Sequence, residues 1–308
     1  MLHVFITAGH FRRCHEAGLF GVRPSSLNQL AQVRPGDRAY IYERTAATFF
    51  GPYRCRRDVR YLGPTVEKPV WEWAAPGSRR EKFRYVVALE PLSGFNRLPV
   101  GAVYATAHAL GIRLHAADFV KRSCYTFFAA DGERLAAALG RHPRQQDLPF
   151  LAPAGAEYDA AGLPVDAAHL DTLLAHERWD ESLLEFILAR EGGALAREMG
   201  ARPAFNQLRI DDRGDRIDLL YAAPNHLFVI ELKTGRRDAE ARRDIVRYEL
   251  WARAHRREVA ARLGLAGDEP AVTPVLVAAG GPPRPAECRI YDWRLEPGPA
   301  RLTFDRVQ

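Results

Sequence analysis

Residues 216–235, RIDLLYAAPNHLFVIELKTG, decide how this chain is read. Two apolar runs, IDLLYAA and LFVIEL, flank Pro224, Asn225 and His226, which together form a turn signal. From Leu227 to Ile230 the second run has no polar residue, the pattern of a strand buried on both faces. A hairpin through the turn sets the two runs side by side and brings Asp218 close to Glu231. Lys233 follows Glu231 by two positions, and strand side chains alternate with period two, so both heads emerge on one face. A charged group of this kind at the end of an apolar strand needs a reason. The plainest is a Glu–Lys ion pair at a solvated strand end.

A second reason is chemical. Two carboxylates can hold a hard divalent cation, and an ammonium beside them can steady charge developing on a phosphorus oxygen or orient a water. The segment from Arg216 to Tyr248 resembles the PD-(D/E)xK nuclease superfamily, above all its RecB-like and mismatch-endonuclease (NucS-like) branches, in its RIDLL and VIELK strands. The resemblance extends over roughly residues 171–280. It implies an α/β nuclease core, Asp218 and Glu231 as ligands of Mg²⁺ (or Mn²⁺), and Lys233 as the catalytic lysine. It also implies an acidic residue on the first core helix. WDESLLEFILAREGGAL supplies that helix, with Leu183, Leu184, Ile187 and Leu188 at helical spacing and Asp180 as its N-cap. Glu181 and Glu185 lie four apart on one face, and Glu185 is the preferred fourth catalytic residue. One departure stands out: where relatives carry Gln-x-x-x-Tyr after the lysine strand, DIVRY places Asp244 in the Gln position and keeps Tyr248.

The upstream half differs in charge. Residues 1–141 hold 21 Lys and Arg against 11 Asp and Glu, net +10, whereas the rest of the chain is net −4. Arg12, Arg23, Arg56, Arg57, Arg79 and Arg80 are candidates for nucleic-acid backbone contacts. An arginine-rich composition in general would produce the same excess. VFIT, RAYIYE, FFGPYRCRRDVRYL, FRYVVALEPL and SCYTFF read as strands, with a short helix over His10–Ala17 and another in GERLAAALG. Five or six strands in this length suggest a small barrel or a strongly curved sheet.

The order FITAGHFRRCHEAGLFGV, VRPGDRAYIYE, FFGPYRC, FRYVVALEPL resembles the PUA-like superfamily, especially its EVE and YTH branches. That implies an α+β small β-barrel able to accept a modified base, flipped from the stack, in an aromatic pocket. Phe20, Tyr42, Phe49, Trp71 and Trp73 are the candidate pocket aromatics, the two tryptophans pointing the same way from VWEWAAPG. Taken singly, an aromatic of this kind belongs more often to a core. Ser25, Ser26 and Asn28 can meet a base edge or cap the SSLNQLAQV helix.

The expected organisation is therefore two-domain: a PUA-like reader over 1–140, a Pro/Gly/Ala-rich linker over 141–170, and a nuclease domain over 171–308. No apolar stretch approaches a membrane span, and MLHVFITAGHF lacks a basic region followed by a signal-peptide core, so a soluble cytoplasmic protein is expected. Cys14, Cys55, Cys124 and Cys288 are widely spaced, which indicates neither a disulfide framework nor a zinc site. The resulting expectation is a modification-dependent DNA endonuclease, acting on double-stranded DNA as a homodimer. A mismatch- or structure-specific repair nuclease and a non-enzymatic reader of modified RNA or DNA are the alternatives.

Overall fold

A computed structural model describes residues 1–63, 83–114, 116–119, 122–143, 162–211, 214–235, 239–267, 269–280, 288–296 and 300–307. The chain divides into two compact units, Met1–Val165 and Asp166–Gln308. The stretch expected as a linker is thus shared between them: Gly162–Val165 belongs to the first unit and Asp166–Leu170 opens the second. Residues 144–161 lie outside the described residues.

The first unit runs β1 (Leu2–Thr7), α1 (Phe11–Ala17), β2 (Leu19–Val22), a 3-10 segment (Pro24–Leu30), β3 (Arg38–Glu43), β4 (Thr48–Cys55), β5 (Arg60–Tyr61), β6 (Tyr85–Pro99), α2 (Val100–Ala109), β7 (Cys124–Thr126), α3 (Ala129–Leu139) and β8 (Leu163–Pro164). SSLNQLAQV, expected as a helix, forms mostly 3-10 turns. The strands make one mixed sheet in the order β7-β1-β3-β4-β6-β5-β8, with β2 also on β6, and β1 runs parallel to β3. All six residues of β1 are buried, so both faces of this sheet are covered there. Leu2, Val4 and Ile6 point into a cluster with Tyr40, Phe49, Leu98, Val103 and Leu135.

The expected small barrel is corrected: among the described residues the sheet is open, with β7 and β8 at its unjoined ends. The reason lies in β6. It is 15 residues long and pairs β4 from Leu89 to Pro99 but β2 from Tyr85 to Ala88 and β5 at Tyr85 and Val86. One long strand thus turns the sheet through a bend without closing it.

A buried carboxylate fixes the turn from β1 to α1. Glu43, 5% exposed, accepts hydrogen bonds from the backbone N–H groups of Gly9, His10, Phe11 and Thr45 and from the hydroxyls of Thr7 and Thr45, at 2.7–3.2 Å. The helix has no side-chain cap of its own at His10, so Glu43 satisfies those orphan donors from a neighbouring strand. Burial opposes ionisation, but the bonds from Gly9, Thr45, Thr7 and Phe11 outweigh it and hold the carboxyl down, from the ordinary 4.5 to about 2.

The second unit runs α4 (Leu170–Leu174), α5 (Glu181–Glu191), α6 (Gly193–Met199), β9 (Arg202–Arg209), β10 (Arg216–Ala223), β11 (His226–Lys233), α7 (Ala239–Leu263), β12 (Ala271–Ala278), β13 (Arg289–Glu296) and β14 (Arg301–Arg306). Its sheet order is β14-β13-β12-β11-β10-β9. The first three strands form an antiparallel meander, β11, β12 and β13 are parallel, and β14 returns antiparallel. Helix α7 is the crossover that the parallel β11–β12 pair requires, and it packs on both strands. Helix α5 packs across β9, β10 and β11. Its N-terminus is set by Asp180, whose side chain accepts the Leu183 N–H at 2.9 Å. Its C-terminus is set by Gly192 at φ +66°, where a Cβ would meet Ala196 Cβ at 2.5 Å and Pro203 Cδ at 3.0 Å. Only glycine lets α5 pass to α6 and β9 so closely. Among the described residues no helix is long and apolar enough to cross a membrane.

Because the folded pKa of Glu43 lies below its unfolded value, its stabilisation is present above about pH 4.5 and fades as pH falls toward 2. Glu43→Gln is expected to destabilise the protein by about 2–4 kcal/mol at pH 7 in urea unfolding. The gap from wild type should narrow steadily as the titration is repeated at lower pH; a gap that does not change with pH contradicts the assignment.

Candidate active site

The β10–β11 hairpin forms as the sequence suggests, closed by the Ala223–His226 pair around Pro224 and Asn225. Its ladder runs from there to Leu219 opposite Ile230. One step further, Asp218 faces Glu231, and here the backbone pairing ends. The Asp218 carboxylate takes its place, Oδ2 accepting the Leu232 N–H at 2.9 Å. On the other side of β10, the pairs Ile217–Leu208 and Leu219–Asn206 put Gln207 opposite Asp218. Gln207, Asp218 and Glu231 therefore lie in one row across three strands.

Lys233 and Glu231 share a face as their spacing requires, with Lys233 Nζ 2.6 Å from Glu231 Oε1. Glu231 is 3% exposed, so this is not a solvated strand-end pair. Its other oxygen, Oε2, is buried with no hydrogen-bond partner among the described residues. At the strand end, Trp293 on β13 donates its indole N–H to the Lys233 carbonyl at 3.0 Å.

Electrostatics tie the row together. Burial raises the Asp218 pKa well above the usual carboxylate range; the charges of Glu231 and Glu185 raise it further, against the Leu232 N–H. Burial also raises Glu231, opposed by Lys233 and by the neighbouring Asp218 carboxyl. For Lys233, burial favours the neutral amine, but the bond and charge of Glu231, aided by Glu181 and Asp218, prevail and the pKa rises. The ammonium stays charged.

Helix α5 carries both acidic candidates. Glu185 is 2% exposed and accepts hydrogen bonds from Asn206 and Gln207. Glu181, in the first turn, acts on Asp218 more weakly than Glu185 does. From α7, buried Tyr248 feels burial first, then the charges of Glu231 and Asp218, and its pKa rises. Asp244 pairs with Arg247 at 3.0 Å while its charge reaches Glu231.

Among the described residues no three His, Cys, Asp or Glu side chains are arranged to hold a metal ion by themselves. A hard cation does not require three. Mg²⁺ commonly takes one or two carboxylates and completes its shell with water and phosphate oxygens. Asp218 and Glu231 supply hard oxygen donors of that kind. The buried Glu231 Oε2, without a hydrogen-bond partner among the described residues, and the raised pKa values of both carboxyls, due first to burial, are deficits that a cation would relieve.

The first unit contains a cavity of about 380 Å³, near the low end of small-molecule pockets at roughly 300–1,000 Å³. It opens where β1 and β3 end. The register pairs Thr7 with Glu43 across β1–β3 and Phe5 with Cys124 across β1–β7, so Arg44 and Arg122 flank the end of β1 from either side. Both line the cavity, with Phe20, Arg23, Ser25 and Ser26, and no acidic side chain among the described residues lines it. Phe20 stacks on Phe5 at 4.6 Å, and the Arg23 guanidinium lies over the Phe83 ring at 5.9 Å.

Of the five candidate pocket aromatics, Phe20 lines this cavity. Tyr42 and Phe49 do not: their rings meet at a tilt, centroids 4.6 Å apart, and pack into the apolar cluster beneath α2 and α3. A strand presents alternate side chains to opposite faces, and theirs is the core face. Trp71 and Trp73 lie outside the described residues, as do Arg79 and Arg80. Arg23 is exposed on the cavity rim, Arg12 is exposed and pairs with Glu16, and Arg56 and Arg57 are exposed. Arg44 and Arg122 went unnoticed in the sequence, although each adjoins a strand end. All four cysteines are free thiols. No family model and no curated protein matches this chain.

Two like charges facing one another in a buried row cost stability when both ionise. Asp218→Asn, which keeps an acceptor for the Leu232 N–H, is expected to raise the melting temperature by about 2–4 °C at pH 7 in chelator. Calorimetry showing a lower melting temperature would mean that Asp218 is not under like-charge repulsion.

Proposed function

We propose that this chain is a modification-dependent DNA endonuclease, whose second unit hydrolyses phosphodiester bonds and whose first unit recognises a modified base. The observation that carries the reading is the Asp218–Glu231–Lys233 cluster, with a buried Glu231 oxygen at its centre that has no hydrogen-bond partner among the described residues. When bound, Mg²⁺ or Mn²⁺ held by Asp218 and Glu231 supplies Lewis-acid charge at the phosphate. The chain's own residues do the rest. Lys233 offers a fixed positive charge to the anionic oxygens as water attacks phosphorus and the bond to the leaving sugar oxygen breaks. Leu232 holds Asp218 from the backbone. Burial of the row keeps these interactions from being screened as they would be in bulk water.

Support for the reader comes from the cavity of the first unit. Phe20 can stack beneath a base, Ser25 and Ser26 can meet its edge, and Arg23, Arg44 and Arg122 can meet the adjoining phosphates. A cavity lined by three arginines and, among the described residues, by no carboxylate suits an anionic polymer. Cutting both strands of a duplex takes two such active sites, so the working form is a homodimer on double-stranded DNA.

The test is digestion of matched duplexes containing cytosine, 5-methylcytosine, hydroxymethylcytosine or N6-methyladenine, with Mg²⁺ and with Asp218→Ala as control. Cleavage of at least one modified duplex is expected at no less than about 10-fold the unmodified rate, with none by the variant. Equal cleavage of modified and unmodified DNA would point to a structure-specific repair nuclease. Undiminished cleavage by Asp218→Ala would remove the assigned site.

A further inference from the structure

Glu185 is held in an unusual way. Asn206 Nδ2 donates to its Oε1 at 3.0 Å, and Gln207 Nε2 donates to Oε1 at 3.1 Å and to Oε2 at 3.0 Å. The carboxylate can only accept, so the amide nitrogens must face it. Asn206 and Gln207 are consecutive on β9, and consecutive strand residues point to opposite faces. Both can reach one carboxylate only where that alternation fails. It fails at Gln207, whose φ is +54°, a left-handed conformation that a non-glycine residue seldom adopts. The surrounding structure must hold this residue against its own preference, a condition that gathers at functional sites.

We infer that Asn206 and Gln207 form a neutral amide clamp that aims Glu185 at the Asp218–Glu231 row, making Gln207 a positioning residue of the cleavage site. The inference rests on the nuclease reading above. Glu231 is fixed by Lys233 at 2.6 Å, whereas the side-chain amides of Asn206 and Gln207 fix Glu185. With Asp218 held by a backbone N–H and Glu185 by two side-chain amides, both carboxyl groups are fixed in place beside the position where a divalent cation would sit. The field of Glu185 does reach Asp218, whose carboxyl it helps to raise after burial and Glu231. Gln207 lies directly opposite Asp218 in the β9–β10 register, so the clamp ties helix and row at one point.

Gln207→Gly separates clamp from fold, because glycine adopts the left-handed conformation freely while the amide is lost. The full chain carrying Gln207→Gly is expected to melt no lower than wild type. Its Mn²⁺ dissociation constant, from calorimetric titration of the metal alone, should weaken at least 5-fold, and kcat on the preferred duplex should fall at least 10-fold with KM nearly unchanged. Gln207→Asn, which tolerates the same backbone and keeps an amide, should recover part of both losses. Wild-type Mn²⁺ affinity and kcat in Gln207→Gly, beside a Glu185→Ala variant that has lost both, would overturn the clamp and leave Glu185 in place. If Glu185→Ala is also unchanged while Asp218→Ala is inactive, the clamp serves no site and only the nuclease reading survives. Full activity in Asp218→Ala would overturn that reading instead, and Mn²⁺ titration of Gln207→Gly decides the clamp even where no duplex is cut.

Discussion

Two carboxylates pressed together in a poorly solvated place are the constraint around which the second unit is organised. Asp218 and Glu231 face each other where the β10–β11 ladder stops, and burial alone would drive both toward the protonated form. The structure does not relieve the conflict by separating them. It supplies a backbone N–H to one and an ammonium to the other, and it adds the charge of Glu185 from α5. A site that concentrates negative charge at a stability cost is suited to a cation that is not part of the chain. The antiparallel meander exists, in this sense, to align three strands at the level of Gln207, Asp218 and Glu231.

Much of this was legible because the determinants are local. Turn residues between two apolar runs specified the hairpin, and period-two alternation placed Glu231 and Lys233 on one face. Asp180 with the leucine and isoleucine spacing that follows specified α5. What escaped notice depends on breaks in local rules or on pairing at long range. Asn206 and Gln207 would be assigned to opposite faces by alternation, and only the left-handed backbone at Gln207 brings them together. RPAFNQLR carries Pro203 and three long polar side chains, so β9 itself was not apparent as a strand.

The first unit shows the same division. Its strands and α1 follow from composition and turn signals, yet whether the sheet closes depends on how the 15 residues of β6 share their partners. Aromatic residues on strands announce burial without saying against what. Phe20 borders a cavity, while Tyr42 and Phe49 fill a core, and the difference lies in which face each strand turns to α2 and α3. Arg44 and Arg122 are far apart in the chain and meet at the cavity because β3 and β7 both flank β1. A basic composition thus becomes a local field only through sheet order.

The most direct test of the central claim is anomalous diffraction from crystals of the protein soaked in Mn²⁺. A peak in contact with both Asp218 and Glu231, abolished in Asp218→Ala crystals, is the expected result. Saturating Mn²⁺ with no peak at that pair, or a peak that survives the substitution unchanged, would contradict the account.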